Sequence, residues 1–173
     1  MSESSRPIPS GHEHLIPHLV VSPCAEAIEF YKRAFGAEEV HRLTAPDGRR
    51  LSHAAIRIDG SCVFLADDFP EYCGGASRLP AALNGTPISL HRYVTDCDAA
   101  IQRAADAGAT VMMPASDCFW GDRYGVIVDP YGHQWSFATR IKELSHDEMQ
   151  AAMKEAFAAA DQSVAENAVT ENA

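Results

Sequence analysis

The chain has 173 residues, enough for one substantial core and one domain. Lys and Arg number 14 against 24 Asp and Glu, a net charge of −10, and that balance excludes the clustered basic surface that nucleic-acid binding requires. No apolar run approaches a membrane span, the first residues carry no hydrophobic stretch of the secretory kind, and five scattered cysteines form no CxxC pair, so a soluble, cytoplasmic domain with reduced thiols is expected.

Residues 1–13 are polar and read as a flexible leader. The short apolar run 15–21, closed by Ser22-Pro23, predicts a strand. Ala27, Ile28, Tyr31 and Phe35 recur at helical spacing over 25–35, and Gly36 stops that helix. Three strands follow at about 38–44, 50–58 and 62–66, the first two joined by a turn at Pro46-Asp47-Gly48. Residues 71–86 carry Gly, Pro, Ser and Asn and read as a linker. The order then repeats: a strand at 88–94, a helix at 98–107, and strands at about 110–114, 123–128 and 133–139. A further helix is predicted over 143–159, with Ser145 and Glu148 at capping-box spacing, and 160–173 reads as a disordered tail.

The two halves echo each other. Cys24-Ala25-Glu26-Ala27-Ile28 is answered by Cys97-Asp98-Ala99-Ala100-Ile101, and the turn at Asp59-Gly60 by Asp129-Pro130-Tyr131-Gly132. Two copies are too few for a solenoid. They predict one domain over 14–142, with modules at about 14–68 and 87–140, pseudo-two-fold symmetry and a ligand site where the halves meet. Strand alternation names the faces. His53, Ala55 and Arg57 share one side of their strand, as do Gln134, Ser136 and Ala138, while Ala54, Ile56 and Ile58, and Trp135 with Phe137, share the other. The apolar side is predicted to pack on helices and the polar side to line the cleft.

Four segments carry a family resemblance: Ala27-Ile28-Glu29-Phe30-Tyr31-Lys32-Arg33-Ala34-Phe35-Gly36, His53-Ala54-Ala55-Ile56-Arg57-Ile58, Trp120-Gly121-Asp122-Arg123-Tyr124-Gly125 and Asp129-Pro130-Tyr131-Gly132-His133-Gln134-Trp135-Ser136. With the paired modules, they resemble the vicinal oxygen chelate superfamily (glyoxalase I, extradiol dioxygenases, bleomycin- and fosfomycin-resistance proteins), and more narrowly its PhnB-like branch. The resemblance implies an α+β fold of two βαβββ modules forming a curved mixed-sheet cleft, and a homodimer. Several chemistries occupy this fold, so the fold does not name one.

The resemblance also implies where a metal would sit. Metal-dependent relatives use a His or Gln on the first strand of each half and a Glu on the last. Those positions fall here on Ile16, Ser89, Phe64 and Ser136, none of them a divalent-metal ligand of the expected type. No cofactor is therefore expected. His18 and His91 lie two residues beyond the first-strand positions, on the same face and equivalent in the repeat. Two readings stand for them: one displaced divalent ion, or a general base, against hydrogen-bonded pocket or core histidines. An ion would need a further ligand, with Gln134, Tyr93 or His53 the candidates.

Other residues join the candidate pocket. Arg57 reads as an anion partner or as a surface arginine, and Cys62, in the register of Phe64, as a nucleophile or as a small buried residue. Cys24 and Cys97 sit at helix starts, where their recurrence points to packing. The aromatic loop at 119–124 either closes over a ligand, with Trp120 stacking and Arg123 pairing an anion, or is a turn with Asp122 and Arg123 tied to the backbone. His133 reads as structural; His12, His14, His41 and His146 are assigned no role. Three functions follow: a small-molecule-binding protein or enzyme without the usual metal; a divalent-metal lyase, isomerase or dioxygenase using His18 and His91; or a dimeric interaction module whose own side chains fill its cleft.

Overall fold

Each module closes on itself in the same way in the computed structural model, which describes residues 7–9, 12 and 15–170. The first module runs β1 (His18–Val20), α1 (Cys24–Phe35), β2 (Glu38–Thr44), β3 (Leu51–Ile58) and β4 (Ser61–Ala66). The second runs β5 (Ser89–Tyr93), α2 (Cys97–Asp106), β6 (Thr110–Asp117), β7 (Asp122–Val128) and β8 (Gln134–Arg140), before α3 (His146–Thr170). The sheets have strand orders β1-β4-β3-β2 and β5-β8-β7-β6. In each, the first strand pairs parallel with the last and the other pairings are antiparallel, so both are mixed sheets of an α+β protein.

Local chemistry sets the helix ends. Gly36, at φ 67°, donates its N–H to the Lys32 carbonyl and ends α1 in the left-handed conformation that glycine adopts freely. Asp96 caps α2 by accepting from the Ala99 N–H. Ser145 and Glu148 form the predicted capping box at α3: the Ser145 N–H reaches the Glu148 carboxylate at 2.8 Å and the Glu148 N–H reaches Ser145 Oγ at 3.3 Å.

Three boundaries differ from expectation. β1 begins at His18 rather than 15, because Pro17 has no N–H for the ladder, although its carbonyl still accepts from Phe64. β6 runs to Asp117 and contains Pro114, which an outer strand accommodates through register shifts between Val111, Met113 and Ser116. α3 continues to Thr170, past residue 159, in a stretch rich in strongly helix-forming alanine. The leader expected at 1–13 lies largely outside the described residues, as do 171–173.

The core follows the alternation. Ala54, Ile56, Val63, Leu65, Trp135 and Phe137 are buried on the helix side, with Ile28, Tyr31, Phe35, Ala100, Ile101 and Ala104 from α1 and α2. It is one core across both modules: Phe35 of α1 meets the Trp135 ring at 4.6 Å and the Phe137 ring at 5.8 Å. Two polar ties support it. Asp67 accepts from Ser22 Oγ and the Cys24 and Leu51 N–H groups. Asp129 accepts from Tyr31 Oη at 2.7 Å and Trp135 Nε1 at 2.9 Å, and also from the Tyr131 and His133 N–H groups. Among the described residues no helix is long and apolar enough to cross a membrane.

Candidate functional site

The sheet faces turned away from the helices carry most of the polar residues that the sequence singles out. In the first module the register aligns His41, Ala55, Phe64 and His18 across β2, β3, β4 and β1. Ala55 is the small, buried floor of this row. His53, two residues before it, leans over so that its ring lies 4.7 Å from Phe64, 5.3 Å from His41 and 6.0 Å from His18. His12 approaches Phe64 at 5.6 Å. Burial pushes the His18 and His53 pKa values down. Arg78 adds to this at His18, and the charges of His41 and His18 add to it at His53. Arg57 stands opposite Cys62. Burial raises the Cys62 thiol pKa, only partly countered by Arg57, which disfavours the thiolate that the nucleophile reading requires.

In the second module His91 stands opposite Ser136. His91 Nδ1 lies 2.9 Å from Ser136 Oγ, and Ser89 Oγ donates to the same oxygen at 3.3 Å. The His91 imidazole stacks on Tyr124 at 6.1 Å and meets the edge of Tyr93 at 5.0 Å. Trp120 continues this aromatic wall, 5.6 Å from Tyr124. Tyr93 is fixed by donating its hydroxyl to Asp122 at 2.9 Å.

The sheets meet at a seam where β4 and the segment before β1 face β5. A crevice of about 370 Å³ opens there, bordered by Leu15, Pro17 and Cys62 on one side and His91, Arg92 and Tyr93 on the other.

Several predicted pocket residues lie elsewhere. Arg123 is held by the Asp98 carboxylate, by Asp117 at 2.8 Å and by the Ala115 carbonyl, so it is a strut between α2 and the β6–β7 hairpin rather than an anion partner. Asp122 is buried and held by the Tyr93 hydroxyl, so Asp122 and Arg123 are fixed mainly by side chains, with one Arg123 bond to the Ala115 carbonyl, rather than tied to the backbone as the turn reading expects, while Trp120 faces Tyr124. Gln134 borders a different cavity, of about 610 Å³, between the linker and the β7–β8 turn. His133 Nε2 donates to the Val20 carbonyl at 2.9 Å, the structural role expected of it. Cys24 and Cys97 are buried packing residues, and burial, with Asp67 beside it, pushes the Cys24 thiol up to about 12.

The donor set does not fit a metal at the family's usual positions. Phe64 offers no donor, and Ser136 is 2% exposed with its hydroxyl engaged by His91. His18 and His91 belong to separate ring clusters, one per module. Among the described residues no group of three or more His, Cys, Asp or Glu side chains is placed to hold an ion. Sequence reasoning missed Arg92, Tyr124 and the Asp129 hub. Arg92 did carry a signal: it places a charge on the apolar side of β5, between His91 and Tyr93.

Comparison with known proteins agrees with this architecture. The family model of the glyoxalase/bleomycin resistance protein/dioxygenase superfamily matches residues 13–137. An uncharacterized protein of Mycobacterium bovis is 54% identical over 139 residues, 80% of this chain and 91% of that protein. An uncharacterized protein of Arabidopsis thaliana, At5g48480, is 32% identical over 120 residues, 66% of this chain and 70% of that protein. The X-ray structure of the At5g48480 gene product superposes with a TM-score of 0.59 at 26% identity, over 72% of this chain and 97% of that one. TioX from Micromonospora sp. ML1 gives 0.56 at 25% identity, over 74% and 98%. The chain thus belongs to the glyoxalase/bleomycin resistance protein/dioxygenase superfamily.

Proposed function

We propose that this protein binds a small molecule on the faces of its sheets turned away from the helices, without a metal at the superfamily's usual positions, as a member of the PhnB-like branch. The observation that carries the reading is the pairing across β5 and β8. Where metal-dependent relatives place a carboxylate, Ser136 stands opposite His91 and is hydrogen-bonded to it. The equivalent position in the first module is Phe64, opposite His18. Aromatic rings then supply the binding surface. His91, Tyr93, Tyr124 and Trp120 offer stacking faces to a flat, conjugated molecule, with His91 and the Tyr93 hydroxyl as polar handles.

A homodimer belongs to the same reading. β2 and β6 are outer strands, and they expose Val40 and Leu43 in one case and Met112 and Met113 in the other. Unpaired strand edges with apolar side chains are association surfaces unless covered. The function is tested by elemental analysis of untagged protein together with a thermal-shift screen of aromatic compounds. The expected result is sub-stoichiometric metal and a saturable rise in melting temperature that His91→Ala and Tyr124→Ala weaken. Near-stoichiometric zinc, nickel, iron or manganese that His18→Ala or His91→Ala removes would replace this reading with the divalent-metal one. Sedimentation velocity tests the dimer.

A further inference from the structure

We infer that the crevice at the module seam takes the anionic head of the ligand, a carboxylate or phosphoryl group, with Arg92 as its anchor. The inference rests on the reading of the sheet faces as a ligand surface, because His91 and Tyr93 border both that surface and the crevice.

Arg92 is an unusual residue for its place. Its side chain is one-tenth exposed, and its guanidinium carbon lies 5.1 Å from the Phe35 ring centroid and 5.6 Å from that of Phe137. One nitrogen, Nη2, donates to Asp59 at 2.5 Å. Nε and Nη1 are buried and have no hydrogen-bond partner among the described residues. Buried donors in folded proteins are nearly always satisfied, and an exception requires a physical reason.

A purely structural role supplies none. A guanidinium is never neutral in a protein, so its donors cannot be silenced by losing a proton. The aromatic rings attract the charge but accept no hydrogen bond from Nε or Nη1 of the ordinary kind. Asp59 is 65% exposed at its side chain, so the ion pair is screened by water and holds the modules weakly. A methionine would pack against both rings and leave no donor unpaired. An oxyanion entering from the crevice would pair with the remaining donors, in surroundings where charge-assisted hydrogen bonds are strong. The crevice is within the size range of small-ligand sites, and Pro17, Val63, Leu90 and Trp135 line it together with the polar groups, which suits an organic acid with an apolar body.

The test uses the full-length protein at fixed ionic strength with three probes: benzoate, the neutral benzamide of the same shape, and inorganic phosphate. Affinity is measured by thermal shift and calorimetry. Benzoate is expected to bind about tenfold or more tightly than benzamide, the size of effect that a hydrogen bond to a charged group gives. Arg92→Met should abolish that preference, and Asp59→Asn should tighten benzoate several-fold by removing the competing carboxylate. Phosphate binding that follows the same variants would identify a phosphoryl head, and phosphate silence with benzoate binding a carboxylate. Equal binding of benzoate and benzamide would overturn the anchor while leaving the aromatic surface standing. A preference that survives in Arg92→Met, or no response of the wild-type protein to either anion, would overturn it too. If Arg92→Met fails to fold, Asp59→Asn decides alone: no tightening, no anchor.

Discussion

Tyr31→Phe tests whether the two modules form one core. Tyr31 is 0% exposed on α1, in the first module, and its hydroxyl donates at 2.7 Å to Asp129, in the β7–β8 turn of the second. Burial and the neighbouring carboxylate raise its pKa well above the ordinary tyrosine value, so the neutral, donating form holds at working pH. The substitution removes one hydrogen bond to a charged acceptor and otherwise keeps the ring and its stacking on Phe35. Such bonds are worth about 1.5–3 kcal/mol. The acceptor Oδ2 keeps Trp135 Nε1, at 2.9 Å, so it is not orphaned. The lower part of the range, about 1.5–2 kcal/mol, is therefore expected. For a chain of this size that corresponds to a fall in Tm of roughly 3–8 °C.

Asp129→Ala removes the acceptor for Tyr31, Trp135 and two backbone N–H groups together, and should cost about 3–5 kcal/mol. Urea unfolding followed by tryptophan fluorescence and far-UV circular dichroism measures both. The two probes should coincide in every variant, because the modules unfold as one unit. A Tyr31→Phe change below about 0.5 kcal/mol, or separate transitions by the two probes, would refute the shared-core reasoning.

Three further outcomes follow from the geometry. His18 and His53 should titrate below 6.5 in NMR spectra of the ring protons; since the unfolded chain then binds more protons, stability falls as pH drops below that value, and His53→Gln should flatten the dependence. Gly121→Ala should destabilise by about 2 kcal/mol or more, because the residue has φ +93° and an added Cβ would lie 2.5 Å from the Lys142 carbonyl oxygen; chemical denaturation giving a wild-type midpoint would contradict this. With an aromatic disulfide reagent at neutral pH, the half-exposed Cys73 and Cys118 should react first and the buried Cys24 and Cys97 only on unfolding; early labelling of Cys24 would show that the start of α1 opens.

The fold was legible because its signals are short-range and repeated. Helical spacing in Ala27, Ile28, Tyr31 and Phe35, the stop at Gly36 and the period of two in β3 and β8 each act within a few residues, and the second module restates them. The boundaries that moved depend on neighbours. Pro114 reads as a strand end until β6 is known to be an outer strand, where a missing N–H costs little. The faces were legible for the same reason: Ser136 and Ala138 lie opposite to Trp135 and Phe137, as alternation requires. The contents of the site were less so. Whether Arg123 meets a ligand depends on where Asp98 and Asp117 stand: Asp98 comes from α2, 25 residues away, and Asp117 reaches it only because the β6–β7 hairpin folds the two strands together.

The repeat also misleads in one respect that matters for function. Equivalence of His18 and His91 in sequence invites a single site on the symmetry axis, with the two rings sharing one ion. The structure keeps the equivalence of position and breaks the equivalence of surroundings. His18 sits among imidazoles and Phe64, where burial lowers its affinity for a proton, whereas His91 is hydrogen-bonded to Ser136 and stacked on Tyr124. Both side chains are imidazoles, but each is engaged with different partners in its own module. Asymmetry of this kind suits a ligand with two different ends. The aromatic wall of the second module would take a flat body. The seam, where Arg92 lies next to His91 on β5, would take a charge. On the proposed reading, the residue that breaks the apolar alternation of β5 is thus a better guide to the ligand than the pair that preserves the repeat.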